Sequence, residues 1–164
     1  MAGAAPSSLS LKGRALMWLS QREHSRSELR RKLLARLRAE AAAGAGPLDA
    51  SDAAAQVDAL LDWLEVNRYL SEARFAESRV HARAARFGTL RIAQELSRHG
   101  VALEGEALQQ LRDSELPRAR AVWARKFGVP AGSPAERAKQ MRFLAGRGFS
   151  GDVIRRVVQG ADDE

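Results

Sequence analysis

Apolar residues recur three and four positions apart along almost the whole chain, the spacing that lines one face of a helix. Leu11, Ala15, Trp18 and Leu19 outline a first helix, which His24 and Ser25 interrupt. Ser25-Arg26-Ser27-Glu28 fits a capping box, in which the serine hydroxyl accepts from an unpaired backbone N–H and the glutamate reaches back. Leu29, Leu33, Leu34 and Leu37 then give a second helix its apolar side. Periodicity vanishes over residues 39–50, which hold Gly44, Gly46 and Pro47 and are expected to form a flexible connector. Ser51 or Asp52 restarts the pattern, carried by Val57, Leu60, Leu61 and Leu64.

After a break at 67–71, Ser71 caps a helix bearing Phe75, Ala76 and Val80, which Phe87 and Gly88 end. Thr89 is expected to cap the next helix, with Ile92 and Leu96 on one face and Gly100 just past its end. Leu103, Ala107, Leu108 and Leu111 predict a short helix. Leu116 and Pro117 start another, whose apolar side is Ala119, Val122, Trp123 and Phe127, and 128–132 ends it. Ser133-Pro134-Ala135-Glu136 is the clearest helix start in the chain and leads into Met141, Leu144 and Ala145. Ser150 is expected to cap a last helix containing Ile154, Val157 and Val158.

This reading predicts about nine helices and no strand, because almost no period-two alternation occurs. One short unit echoes through the chain. Leu96, His99, Gly100 and Val101 of the stretch 89–101 match Leu144, Arg147, Gly148 and Phe149, and Leu29 and Leu33 repeat the four-residue step of Ile92 and Leu96. Each group of three helices is too small to bury its own apolar face, so neighbours must stack. The expected fold is all-α, an elongated, curved array of three tandem three-helix repeats. The repeats are expected at 11–67 (including the loop 39–50), 68–114 and 115–160, flanked by a disordered N-terminus at 1–10 and a frayed acidic tail at 161–164. A compact all-α bundle is the alternative.

Charge adds a function class. The 164 residues carry a net charge of +7, which points to an acidic partner, nucleic acid first. Arginine supplies most of it, since the lysines are only Lys12, Lys32, Lys126 and Lys139. The competing reading is that an Ala- and Arg-rich chain reflects genomic base composition. No cysteine is present, which excludes thiol catalysis and cysteine zinc sites. No apolar run reaches membrane-spanning length, and the first residues lack the apolar centre of a signal peptide, so a cytoplasmic chain without membrane contact is expected.

Catalytic chemistry finds no footing. His24, His81 and His99 stand far apart, the serines fall at helix caps, and no phosphate-binding glycine loop or isolated carboxylate pair occurs. No catalytic residue, metal or cofactor is expected. Binding is better supported, because arginine makes bidentate contacts with phosphate and carboxylate. The contact candidates are Arg30, Arg31, Lys32, Arg83, Arg86, Arg91, Arg98, Arg142 and Arg147, in or beside the echoed elements. For each of them, a solvated face paired with acids such as Asp58, Asp62 or Glu72 is the competing role. Tyr69, Phe87, Trp123 and Phe149 are expected to pack rather than to stack on bases.

Four motifs occur in an order that resembles the RecX regulatory proteins. They are His24-Ser-Arg-Ser-Glu-Leu-Arg-Arg-Lys-Leu33, Tyr69-Leu-Ser-Glu-Ala-Arg-Phe-Ala76, Arg86-Phe-Gly-Thr-Leu-Arg-Ile-Ala-Gln-Glu-Leu-Ser-Arg-His-Gly-Val101 and Met141-Arg-Phe-Leu-Ala-Gly-Arg-Gly-Phe149. The resemblance spans 11–158. It implies a non-enzymatic protein of three three-helix repeats that binds in the groove of the RecA–DNA filament; a monomer is expected. Such proteins inhibit ATP hydrolysis, coprotease activity and strand exchange in recombination and the SOS response, and can bind single- and double-stranded DNA. A general nucleic-acid-binding helical protein without RecA preference is the alternative. Three features depart from the family pattern: Asn67-Arg68 in place of the glycine before Tyr-Leu, a less glycine-rich turn at 87–89, and the long Ala/Gly insert at 39–50.

Overall fold

The computed structural model describes residues 9–160, so the expectations for 1–8 and for the tail at 161–164 lie outside the described residues. Among the described residues the chain forms α1 (Leu11–Gln21), α2 (Arg26–Glu40), α3 (Ala50–Val66), α4 (Glu72–Arg83), α5 (Thr89–Arg98), α6 (Gly105–Asp113), α7 (Glu115–Lys126), α8 (Pro134–Gly146) and α9 (Gly151–Gln159), with no strand. The chain divides between Phe75 and Ala76 into two compact units, each with its own core.

The first unit packs α1, α2 and α3 around Ala15, Leu29, Leu33, Val57, Leu61, Leu64 and Leu70. The opposite charges of α2 and α3 meet across their flank. Arg26 pairs with Asp62 (2.8 Å) and Glu65 (2.9 Å), and the Arg30 guanidinium donates to both oxygens of Asp58 (2.7 and 3.2 Å). Ser25 caps α2 by accepting from the Glu28 N–H (3.1 Å), and the Glu28 carboxylate takes the Arg22 guanidinium.

The insert differs from the expected connector. Helix α2 continues to Glu40 and passes into a π-helical turn, Ala41–Ala45, which is kinked at Gly44, and residues 46–49 then lead into α3. Alanine is the best helix former and carries the helix onward until Gly44, at φ +96°, breaks it. Asp49 rather than Ser51 or Asp52 caps α3, its carboxylate accepting from the N–H groups of both (2.8 and 3.0 Å).

The second unit contains α5–α9 and the C-terminal part of α4. The core of α7, α8 and α9 is built from Ala119, Val122, Leu144, Phe149, Ile154, Val157 and Val158. Ile92 and Leu96 of α5 are fully buried, as Leu29 and Leu33 are at the matching steps of α2. Two helix starts differ from expectation. Gly88 occupies the cap of α5, and Thr89 is its buried first residue, donating its N–H to Glu115 Oε1 (3.0 Å). Ser150 stands at the cap of α9, but its hydroxyl bonds Glu115 Oε2 (3.2 Å) rather than an N–H of its own helix. Helix α7 begins at Glu115, one residue ahead of Leu116, and that residue explains both differences.

One helix ending is used three times. After α5, Gly100 at φ +72° donates to the Ser97 carbonyl (2.9 Å), and Val101 donates to the Leu96 carbonyl (3.1 Å). After α8, Gly148 at φ +85° and Phe149 repeat the pair of bonds to Ala145 (2.9 Å) and Leu144 (3.3 Å). After α3, Arg68 at φ +61° and Tyr69 make them to Glu65 (3.0 Å) and Leu64 (2.9 Å). The paired bonds satisfy carbonyls that the last helical turn leaves open. The glycine stop therefore has its counterpart in the first unit after α3, not after the echoed helix α2.

Candidate functional site

The chain leaves α4 through Ala84, Ala85 and Arg86 and turns inward at Phe87, which is only 8% exposed. Two main-chain bonds hold the turn. Gly88 donates to the Arg147 carbonyl (2.8 Å) and Leu90 to the Gly148 carbonyl (3.2 Å), which places the start of α5 against the end of α8. The approach is close enough to require two glycines. A Cβ on Gly88 would lie 2.2 Å from the Gly148 oxygen, and a Cβ on Gly148 would lie 2.3 Å from the Arg91 Cβ.

Arg118 of α7 braces the same turn from inside. Its guanidinium donates to the carbonyls of Ala84 (2.9 Å), Phe87 (2.7 Å) and Leu111 (3.0 Å) and to the Ser114 hydroxyl (3.1 Å). Burial pulls this guanidinium below the ordinary arginine pKa, opposed by the neighbouring Glu115 carboxylate, and the side chain still carries its charge.

The turn gathers cations around one ring. The guanidinium carbons of Arg83, Arg86, Arg91 and Arg147 lie 4.5, 5.5, 4.4 and 5.5 Å from the Phe87 centroid. Each contact contributes about 0.5–1 kcal/mol where solvent reaches it. Glu95 divides this group. It accepts two bonds from Arg83 (2.9 and 2.6 Å) and stands 3.6 Å from Arg91, and the Arg83 bonds hold its carboxyl below the usual glutamate range.

Two grooves flank the ring. One, of about 560 Å³, runs between α5 and α8 and is lined by Leu90, Arg91, Gln94, Glu95, Arg98 and the end of α8. Leu90 is 61% exposed beside it, and the Arg91 guanidinium donates to the Gly146 carbonyl (3.2 Å). The other, of about 290 Å³, has Val122 and Phe143 in its lining and is bordered by Arg86, Arg125, Lys126 and Arg147. Arg147 and Lys126 lie 5.2 and 5.9 Å from the Phe143 centroid.

Of the residues proposed from sequence, Arg83, Arg86, Arg91 and Arg147 thus meet at one ring, and Arg98 lines the groove beside them. Arg142 is exposed on α8 outside both grooves. The first-unit candidates are not brought together in this way. Arg30 is tied to Asp58, Arg31 is exposed, and Lys32 turns inward over the Trp18 ring (4.2 Å) and donates to His24 Nε2 (3.0 Å). Sequence reasoning passes over Arg125 and Lys126 because they lie outside the echoed stretch. Their signal is the basic last turn of α7, two and three residues after Trp123.

Relatives agree with this architecture. The chain matches the model of the RecX second three-helix domain at residues 71–104 and that of the RecX third three-helix domain at 113–158. It is 53% identical over 156 residues to the regulatory protein RecX of Ralstonia nicotianae, covering 94% of this chain and 89% of that one. Against the regulatory protein RecX of Ralstonia pickettii it is 50% identical over 94% of this chain and 90% of the relative. The crystal structure of RecX from Lactobacillus salivarius superposes with a TM-score of 0.69 over 94% of this chain and 96% of that chain, at 17% identity, a likeness of fold. All-helical three-helix domains, the four ordered motifs and near full-length identity agree: the chain belongs to the RecX family of regulatory proteins.

Proposed function

We propose that this protein binds in the helical groove of a RecA–DNA filament and slows the filament's ATP hydrolysis, coprotease activity and strand exchange. It does so as a cytoplasmic monomer, by occupancy rather than catalysis. The observation that carries this reading is 53% identity to a regulatory protein RecX over nearly the whole chain. The second unit supports it with a basic cluster held on a rigid turn, since ordered arginines suit both phosphate and carboxylate partners. Repeats at 11–67, 68–114 and 115–160 would each offer a surface to the filament, and weak contacts linked in one chain add strongly.

The test is titration of the protein into a preformed filament of RecA on single-stranded DNA, following ATP hydrolysis and strand exchange. Both are expected to fall at protein levels below filament stoichiometry. No effect well above that stoichiometry would overturn the reading. The net charge of +7 favours general nucleic-acid binding as a second reading. That protein would bind naked DNA with a steep salt dependence and show no preference for the filament.

A further inference from the structure

We propose that the groove bordered by Arg86, Arg125, Lys126 and Arg147 is a phosphate-backbone site for nucleic acid, distinct from the α5–α8 groove. This deepens the filament reading and rests on it for its setting, while its chemistry is testable with no RecA present.

The cations of this chain fall into two kinds. In the first unit Arg22 pairs with Glu28, Arg26 with Asp62 and Glu65, Arg30 with Asp58 and Arg36 with Glu40, while Arg31, Lys32 and Arg38 of α2 have no carboxylate partner among the described residues. In the second unit Arg83 and Arg91 share Glu95. Arg86, Arg125, Lys126 and Arg147 have no carboxylate within ion-pair distance among the described residues, although they border one groove. Like charges gathered without counter-charge repel one another, and an anion in the groove relieves that repulsion.

The cations are also held in place. Arg125 donates to the Ala85 carbonyl (2.7 Å), and the Arg86 and Arg147 guanidiniums both lie 5.5 Å from the Phe87 centroid. Ordering long side chains beforehand lowers the entropy lost on binding. The nearby rings are already occupied: Phe87 is buried, and Phe143 meets Phe127 edge-on at 5.4 Å as well as the two cations. The rim of the groove is formed by four cations, so binding is to phosphate and is independent of sequence. The other groove is less purely cationic, since Glu95 stands between Arg91 and Arg98 in its lining and Leu90 is exposed beside it.

The experiment measures binding of the full chain to a fluorescein-labelled oligothymidylate by anisotropy across a salt series. Three doubles are compared with the parent: R125Q/K126Q, the charge-preserving R125K/K126R, and R26Q/R30Q, which removes two compensated charges. R125Q/K126Q is expected to weaken binding about tenfold at low salt. It should also flatten the slope of log affinity against log salt by about 0.7 for each phosphate that is no longer neutralised. The other two doubles should stay near the parent. Equal weakening by R125Q/K126Q and R26Q/R30Q would mean diffuse charge and would overturn the site. So would reduced binding to a labelled polyglutamate peptide with oligothymidylate binding unchanged, which would assign the groove to acidic protein. Matching circular dichroism and urea midpoints establish that the doubles fold. If filament inhibition is absent while these results hold, the filament reading fails and the phosphate site stands.

Discussion

Arg68 sits where the two equivalent helix ends carry Gly100 and Gly148, at φ +61°. The left-handed region disfavours a side chain by about 1–2 kcal/mol, and glycine enters it freely. Arg68→Gly is therefore expected to stabilise the first unit by about 1 kcal/mol, read as a raised urea midpoint with an unchanged slope. His24 makes a second residue-scale case. It is almost fully buried, and its partners fix its tautomer: the Arg22 carbonyl (3.0 Å) can only accept from Nδ1–H, and the Lys32 ammonium (3.0 Å) can only donate to Nε2. Burial, with the charges of Arg22 and Lys32, holds its pKa below the ordinary 6.5, although its bond to the Arg22 carbonyl and the Glu28 charge oppose this. Below pH 6.5 the unfolded chain takes up a proton that the folded chain refuses, so the contribution to stability is full above that pH and is lost as pH falls. Urea midpoints at pH 7.5 and 5.5 should show a larger drop for the parent than for His24→Gln, and equal drops would refute this account.

Elements are legible to the extent that their chemistry is local. Ser25, Ser71 and Ser133 each accept from the N–H three residues on, at 3.1, 3.2 and 3.2 Å, because a cap needs only its own helix. Thr89 and Ser150 depart from expectation because a residue from elsewhere, Glu115, competes for their polar groups. The alanine run after α2 misleads in the other direction, since loss of apolar periodicity does not remove helix propensity. The seam between α5 and α8 carries the strongest prediction at this scale. Gly88→Ala leaves its own backbone unstrained but drives a methyl into the Gly148 carbonyl, 2.2 Å from the added atom. It should destabilise the second unit by about 3 kcal/mol, measurable as a lowered thermal midpoint, and it should weaken whatever binding depends on the ordered arginines around Phe87.

For the molecule as a binding protein, the α5–α8 groove predicts a graded response. Arg91→Glu and Arg98→Glu should each weaken filament inhibition more than Arg112→Glu, an equal change of charge on exposed α6, and equal effects would argue against a localised surface. Helical class, helix number, most cap positions and the family were written in the sequence by itself. Spacing, caps and ordered motifs act over one or two turns, and their physics is contained within a few consecutive residues. Which cations are neutralised and which stand free was decided only by the tertiary structure. Asp58 and Arg30 are 28 residues apart, Glu115 reaches back 26 residues to Thr89, and Phe87 draws its guanidiniums from α4, α5 and the end of α8. Charge pairing depends on distance in space, and one-dimensional order does not contain it.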